Sequence, residues 1–224
     1  MNLKSFSPDN LTRHSKLMLE RLFGLDLITI IHPEDVGLDS KVSHAYEPSG
    51  YRNLYNLLKD FNITSEDSII DIGCGKGSAM LAMLKFPFKK IDGIEISDYI
   101  ANIAKQNLKR LNFNKKSKVF IGDASLFREY DTYNFVYLFN PFPKSVMSDV
   151  IDTLIQSIGR SERELIIIYN NATCNDVIVS KGVFTKVGVY PYPNKRGIET
   201  SIYSNRSYNN SRLSSNKKMQ CVRI

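Results

Sequence analysis

Short apolar runs alternate with amphipathic segments through the central part of the chain. Five runs have the length and composition of buried strands, at residues 68–72, 90–96, 118–121, 133–139 and 165–169. Between them, apolar side chains recur at the spacing of a helix over residues 51–60, 78–85, 98–111 and 144–158. Strands that alternate with helices predict a parallel sheet with helices on both faces.

The two ends of the chain follow a different pattern. Residues 11–23 have helical spacing, and we predict an N-terminal helical extension or lid over residues 1–45. Two β-like runs, at 183–190 and 198–204, flank a segment rich in proline and glycine, which predicts a C-terminal antiparallel hairpin. The expected fold is therefore α/β, with a seven-stranded, mostly parallel sheet over residues 46–205 and a flexible tail over residues 206–224.

Composition narrows the class of protein. The chain has 224 residues, of which 42% are hydrophobic and 24% charged, which is typical of a globular domain. No apolar run reaches the roughly 18 to 20 residues of a membrane span, and the N-terminus lacks the apolar core of a signal peptide, so we expect a cytoplasmic protein. The three cysteines lack metal-ligand spacing, and we expect no metal site.

The formal net charge of +7 suggests an anionic partner only weakly. The lysines and arginines are scattered, and their tightest clusters, such as Lys89-Lys90 and the group at 115–118, fall where solvated loops are expected. We therefore give these clusters little weight as a binding patch. The sequence gives no information on the oligomeric state.

A glycine-rich loop is the strongest chemical signal. Between the first strand and its helix stand Asp71, Gly73, Gly75 and Gly77. Glycines let the backbone turn sharply and approach a ligand closely, and the helix N-terminus behind them offers free N–H groups. Glu95 ends the next strand, 24 positions after Asp71, where a carboxylate binds ribose hydroxyls in nucleotide-binding folds.

The spacing of the third glycine distinguishes between ligands. A dinucleotide fingerprint needs glycine or alanine at position 78, where this chain has Ser78, whereas Gly77 gives D-x-G-x-G-x-G. In this spacing the sequence resembles the class I S-adenosylmethionine-dependent methyltransferases, which have a Rossmann-like fold. The resemblance implies S-adenosylmethionine as cofactor. It implies that Asp71, Gly73, Gly75 and Gly77 surround the methionine moiety, that Glu95 binds the ribose, and that Asp123 and Ala124 bind the adenine. Ile96 is a further candidate cofactor-binding residue.

Asn140-Pro141-Phe142-Pro143 ends the fourth strand. It resembles the N/D-P-P-Y/F motif of methyltransferases that act on amine or planar nitrogens. The resemblance implies that Asn140 lies at the methyl group, near both cofactor and acceptor, and that Phe142 stacks on the acceptor, although Phe142 stands where the second proline belongs. The alternative is a strand end followed by a proline-marked helix start.

Tyr46 is the third candidate catalytic residue. It lies just before the predicted domain, beside His44 and Glu47, where a lid contacts the cofactor in similar enzymes. A base is needed only if the acceptor must lose a proton. The alternative is that Tyr46 packs on the domain while His44 and Glu47 are solvated.

These observations favour a methyltransferase whose acceptor is a small metabolite or a protein amine. An RNA acceptor stays open but is not favoured, and no membrane partner is expected. Two other functions stay open: a protein that binds S-adenosylmethionine without catalysis, and a nicotinamide-dependent oxidoreductase, which the position of Gly77 disfavours.

Overall fold

The computed structural model describes residues 13–37, 39, 51–191, 199–206 and 220–221. Its helices are α1 (Arg13–Phe23), α2 (Tyr51–Leu58), α3 (Ser78–Met83), α4 (Asp98–Arg110), α5 (Lys144–Arg160) and α6 (Asn175–Ser180). Its strands are β1 (Ser68–Ile72), β2 (Lys90–Glu95), β3 (Val119–Ile121), β4 (Phe135–Phe139), β5 (Ile166–Asn170), β6 (Thr185–Pro191), β7 (Glu199–Ser204) and β8 (Gln220–Cys221). Short 3₁₀ turns lie at Pro33–Val36, Ala124–Leu126 and Glu129–Thr132.

The eight strands of the described residues form one sheet, in the order β3-β2-β1-β4-β5-β7-β6-β8. Strands β1 to β5 are parallel, and β7 joins β5 in the antiparallel sense. This arrangement confirms the predicted mostly parallel sheet with a C-terminal hairpin. The two-residue strand β8 pairs with β6 and adds an eighth, edge strand, from the segment predicted as a tail.

The strand order reverses between β1 and β4. From β1 the chain runs outward through β2 and β3, and then returns to the other side of β1 for β4 and β5. In open α/β sheets, ligands bind at the carboxyl ends of the strands where the order reverses. We therefore expect the ligand-binding residues of this fold in the loops after β1, β2 and β4.

Two apolar layers cover the sheet. Neighbouring residues of β1 face opposite layers, since Ile69 packs in one cluster with Leu58 of α2, and Ile70 packs in the other with Leu154 of α5. All five residues of β1 and of β5 are buried, as expected for strands covered on both faces. The apolar layers hold the strand ends in fixed positions.

Ser97 caps α4, because its hydroxyl accepts the N–H of Ile100 at 3.3 Å. Asp98 is the first helical residue, where its negative charge suits the helix N-terminus. Helix α6 was not predicted, because six residues that begin with Asn175 and Asp176 show too little helical periodicity.

Candidate functional site

The glycine loop is bound to the end of β2 by its backbone. The N–H groups of Gly73 and Cys74 donate to the carbonyl of Ile94 at 2.9 and 3.0 Å, and the N–H of Gly75 donates to Glu95 Oε2 at 3.0 Å. Gly73 has a φ of 72°, and a Cβ placed there would lie 2.7 Å from Cβ of Pro141. Only glycine therefore allows the loops after β1 and β4 to approach so closely.

Glu95 lies at the centre of this arrangement and is 8% exposed. Its Oε1 accepts the N–H of Ser97 at 3.0 Å, while Oε2 accepts from Gly75. Burial raises the pKa of Glu95, against the opposing effect of the backbone donors at Ser97, Gly75 and Ile96. A carboxylate offers about four acceptor positions, so these donors leave capacity for a ligand hydroxyl.

Asp71 is the buried carboxylate beside it, on β1, and is 2% exposed. Within the described part of the chain, no side chain or backbone N–H donates to its carboxylate. Burial, with a contribution from the charge of Glu95, raises the pKa of Asp71 to about 8. A buried carboxylate without donors is costly, and a cation bound next to it offsets that cost.

The adenine-side candidates follow β3. Ile121 pairs with Glu95 in register, so the ends of β2 and β3 lie together. Asp123 is exposed, and its Oδ1 accepts both the N–H and the hydroxyl of Ser125, at 2.8 and 2.7 Å. Ala124 is buried, whereas Ile96 and Ile121 remain 37% and 42% exposed. These two apolar side chains are therefore accessible at the carboxyl end of the sheet.

Asn140 follows β4 with a φ of 40°, in the left-handed region. Its Oδ1 accepts the hydroxyl of Thr173 at 2.6 Å and that of Tyr169 at 3.3 Å, which fix the orientation of the amide. Phe142 is half-buried and packs against the cluster that contains α5. Pro143 is the N-cap residue of α5, as the alternative of a proline-marked helix start anticipated.

Tyr169 and Thr173 were missed by the sequence analysis. Tyr169 lies near the end of β5 and Thr173 follows that strand, which pairs with β4 in parallel and so brings both residues beside Asn140. The predicted topology could have identified them, because neighbouring parallel strands end at the same edge of the sheet. Tyr46, with His44 and Glu47, lies outside the described residues, so its predicted role stays a prediction.

Lys76 was also missed, although it stands inside the glycine loop. It is fully buried, and its ammonium forms an ion pair of 2.6 Å with Asp26, in the segment after α1. The amide of Asn107 on α4 donates to the backbone carbonyls of both Asp26 and Lys76, at 2.8 and 3.1 Å. The segment before the domain is therefore bonded directly to the glycine loop.

Cys74 acts as a packing residue. Burial raises the pKa of its thiol well above the usual value, with further contributions from Asp71 and Glu95, so the sulfur stays protonated. A Cβ at Gly93 on β2 would lie 2.6 Å from Cβ of Cys74, which shows how closely the loop and the strand pack.

Among the described residues, no helix is both long and apolar enough to cross a membrane. No group of three or more His, Cys, Asp or Glu side chains there is arranged to hold a metal ion.

Comparison with known proteins gives one family match and one curated relative. Residues 69–163 match the family model of a methyltransferase domain. A protein of Methanocaldococcus jannaschii, MJ0928, which carries the provisional name protein N5-glutamine methyltransferase, is 32% identical over 111 residues. The match covers 50% of this chain and 48% of that protein, so this chain spans about half the length of its relative.

Solved structures show the same fold. An RNA methyltransferase from Salinibacter ruber, in complex with S-adenosyl-L-homocysteine, aligns with a TM-score of 0.57 at 15% identity, over 75% of this chain and 99% of that one. The mitomycin 7-O-methyltransferase MmcR aligns with a TM-score of 0.55 at 13% identity, over 70% and 54% of the two chains. Residues 69–163 thus match a methyltransferase domain, and the fold of the chain is the Rossmann-like fold of these solved structures.

Proposed function

We propose that this protein is an S-adenosylmethionine-dependent methyltransferase. The observation that supports the cofactor best is Asp71, a buried carboxylate with no donor among the described residues and a raised pKa. S-adenosylmethionine carries an ammonium and a sulfonium, and either cation offsets the cost of ionising Asp71. When bound, the cofactor supplies an electrophilic methyl group.

The remaining candidates fit the rest of the same molecule. Glu95 has acceptor capacity left for ribose hydroxyls, and Asp123 has its Oδ2 free of donors among the described residues, as an acceptor for the adenine amino group. Ile96 and Ile121 present apolar surface to the ring. A reduced nicotinamide cofactor carries no cation that could lie beside Asp71.

We further propose that the acceptor is a nitrogen of a protein side chain, and specifically an amide nitrogen. Asn140 carries one donor and one acceptor group in a plane, which is the complement of a second primary amide. The relative named as a protein N5-glutamine methyltransferase supports the same class of acceptor. Because Thr173 and Tyr169 both bond Oδ1 of Asn140, an incoming N–H displaces the longer contact, from Tyr169 at 3.3 Å.

Positioning supplies most of the rate in such a reaction. The acceptor nitrogen would attack the methyl carbon in line with the carbon–sulfur bond. The electron pair of that bond would stay on the sulfur, and the nitrogen would release one proton to water. Holding the two reactants in this geometry can contribute up to about 7 to 11 kcal/mol. Asn140, held by Thr173, performs the positioning.

The cofactor proposal is tested by titrating S-adenosylmethionine, S-adenosylhomocysteine and NADH into the wild type and into Asp71→Asn and Glu95→Gln. We expect binding of the first two ligands only, weakened about tenfold or more in each variant by loss of a charged partner. A folded wild type that binds neither sulfur nucleoside would overturn the proposal.

The acceptor proposal needs a transfer assay. Labelled S-adenosylmethionine is incubated with a glutamine-containing protein extract, with bulk RNA and with a pool of small amines, and the product is identified by mass. Thr173→Val should lower kcat while the affinity for S-adenosylhomocysteine stays at the wild-type value. Label that enters only RNA or only small amines contradicts a protein acceptor, and absence of any transfer despite cofactor binding supports a non-catalytic binding protein instead.

A further inference from the structure

A groove lies at the end of the sheet opposite to the glycine loop. This groove of about 540 Å³ is lined by residues that begin or precede the parallel strands, among them Ser68 of β1, Lys90 of β2 and Thr132 before β4. The glycine loop lies at the other end of these strands. Since β1 has five residues, at about 3.3 Å each, roughly 16 Å separate the groove from the loop.

The groove is strongly basic. Five lysines line it, together with the carboxylates of Glu66 and Asp92; the lysines are Lys89, Lys90, Lys115, Lys116 and Lys118. Within the described part of the chain, Lys90 is the one lysine of the five in an ion pair, with Asp92 at 3.8 Å. Asp92 already accepts the hydroxyl of Tyr133 at 2.6 Å and the N–H of Lys118 at 2.7 Å. Five lysines thus face two carboxylates among the residues that line the groove, so its lining has an excess of positive charge.

Lys90 is partly buried in the groove. Burial lowers its pKa, Asp92 and Glu129 oppose this effect, and the smaller contributions of Lys118 and Lys89 lower the pKa further. Its ammonium also donates to Thr132 Oγ1 at 2.7 Å and lies 3.9 Å from the ring centre of Tyr133. An anion in the groove would relieve the repulsion among the lysines.

Ser117 provides an independent sign of a ligand. It lines the groove, is 6% exposed, and its hydroxyl has no hydrogen-bond partner among the described residues. Its backbone N–H is already bonded, to the carbonyl of Phe113 at 3.1 Å. Buried hydroxyls are nearly always bonded, so one that is unpaired beside five lysines indicates a missing acceptor.

We infer that this groove binds the phosphate group of a small phosphorylated molecule, at a site separate from the proposed cofactor site. Phosphate oxygens are strong acceptors for lysine ammonium groups and for a serine hydroxyl. A terminal phosphate presents three such oxygens and reaches a recessed hydroxyl, which a phosphodiester in a chain does less readily. The volume of the groove also lies within the range of small-molecule sites.

The test is calorimetric titration of sodium phosphate and of glycerol 3-phosphate into the full chain, at constant ionic strength set with chloride. The variants are Lys118→Gln and Ser117→Ala. The control is Lys109→Gln, which removes the same charge from an exposed position on α4. Ser117→Ala should leave the melting temperature of the ligand-free protein unchanged or higher, because it removes an unbonded buried hydroxyl.

We expect wild-type dissociation constants of about 1 mM or below. Lys118→Gln and Ser117→Ala should each weaken binding about tenfold, as expected for loss of a charged hydrogen bond. Tighter binding of glycerol 3-phosphate identifies a phosphorylated molecule as the ligand, and equal binding identifies free phosphate. No binding by the folded wild type, or equal loss in Lys109→Gln, overturns the inference. A third outcome is that an RNA oligonucleotide binds, that Lys118→Gln weakens this binding, and that neither small phosphate binds. The groove would then be an RNA site, and the inference of a site for a small phosphorylated molecule would be wrong.

Discussion

Three buried carboxylates on β1 and β2 differ in what surrounds them. Asp92 accepts from Tyr133 and from the backbone of Lys118, and Glu95 accepts from backbone N–H groups. Asp71 has no donor among the described residues. The hydrogen bonds of Asp92 therefore serve the fold. Those of Glu95 hold its carboxylate in place and leave positions at which it can accept a hydrogen bond from a ligand. Asp71 lacks a positive partner, which a ligand would supply.

The affinity for S-adenosylhomocysteine should consequently depend on pH through Asp71. The nucleoside's ammonium favours the ionised carboxylate, whose pKa without ligand is about 8. Binding below that pH releases a proton, so affinity should rise with pH, by up to about tenfold per unit, and level off above pH 8. Titrations from pH 6 to 9 measure this slope.

Asp71→Asn supplies the matched control for that titration, because it keeps the shape of the side chain and removes the titrating group. Its affinity should be lower and nearly independent of pH across the same range. An equal slope in the variant would assign the pH dependence to another group.

Elements were predictable where periodicity is strong. Strands β1 to β5 and the long helices follow directly from apolar runs and helical spacing. Contacts between elements were not predictable in the same way. The ion pair of Lys76 with Asp26, for example, joins positions that are 50 residues apart in the sequence. The residues next to Lys76 in the sequence do not predict that it is buried, because its burial depends on the segment after α1, which packs against the glycine loop.

The ion pair between Asp26 and Lys76 should contribute to stability. Lys76 is fully buried, whereas the side chain of Asp26 is 41% exposed, so solvent screens part of the interaction. We expect Asp26→Asn to lower the free energy of unfolding by about 1 to 3 kcal/mol, because the buried ammonium loses its carboxylate. Urea unfolding measures the change.

The double variant Asp26→Asn with Lys76→Met is the control for that experiment. It removes the buried charge together with its partner, so it should recover part of the loss. A double variant less stable than Asp26→Asn alone would show that Lys76 matters chiefly for its other contacts.

The contact between the loops after β1 and β4 is tested by Gly73→Ala. The new Cβ meets both a φ of 72° and the side chain of Pro141 at 2.7 Å. Gly182→Ala is matched, since Gly182 has a φ of 70° with nothing within 4 Å. The control should cost about 1 to 2 kcal/mol from backbone strain alone.

Gly73→Ala should cost more than its control, and it should also weaken S-adenosylhomocysteine binding, because Pro141 adjoins Asn140. Chemical unfolding and calorimetry of both variants measure the two effects. Equal costs in the two variants would mean that the loops separate easily.

At the scale of the whole molecule, the sheet is electrically asymmetric. Its carboxyl end holds Asp71 and Glu95, whereas its amino end collects lysines from two clusters that lie about 25 residues apart in the chain. Each cluster alone looks like a solvated loop, which is why the sequence analysis gave them little weight. Parallel pairing of β2 with β3 brings them together.

The burial of Asp71 also predicts how the stability of the ligand-free protein varies with pH. The unfolded chain releases this proton near the ordinary pKa of 3.8, whereas the folded protein keeps it up to about pH 8. The folded state thus binds more protons between these values, so this group makes the free energy of unfolding fall as pH rises.

Asp71→Asn removes that contribution, so the difference between wild type and variant isolates it from all other titrating groups. The stability of the wild type relative to Asp71→Asn should fall by at most about 1.4 kcal/mol per pH unit between pH 5 and 8, and then level off. Urea unfolding at each pH gives both curves. A difference that is constant with pH would mean that Asp71 is already ionised in the folded protein without a ligand. That result would contradict the proposal that a bound cation offsets the cost of ionising Asp71.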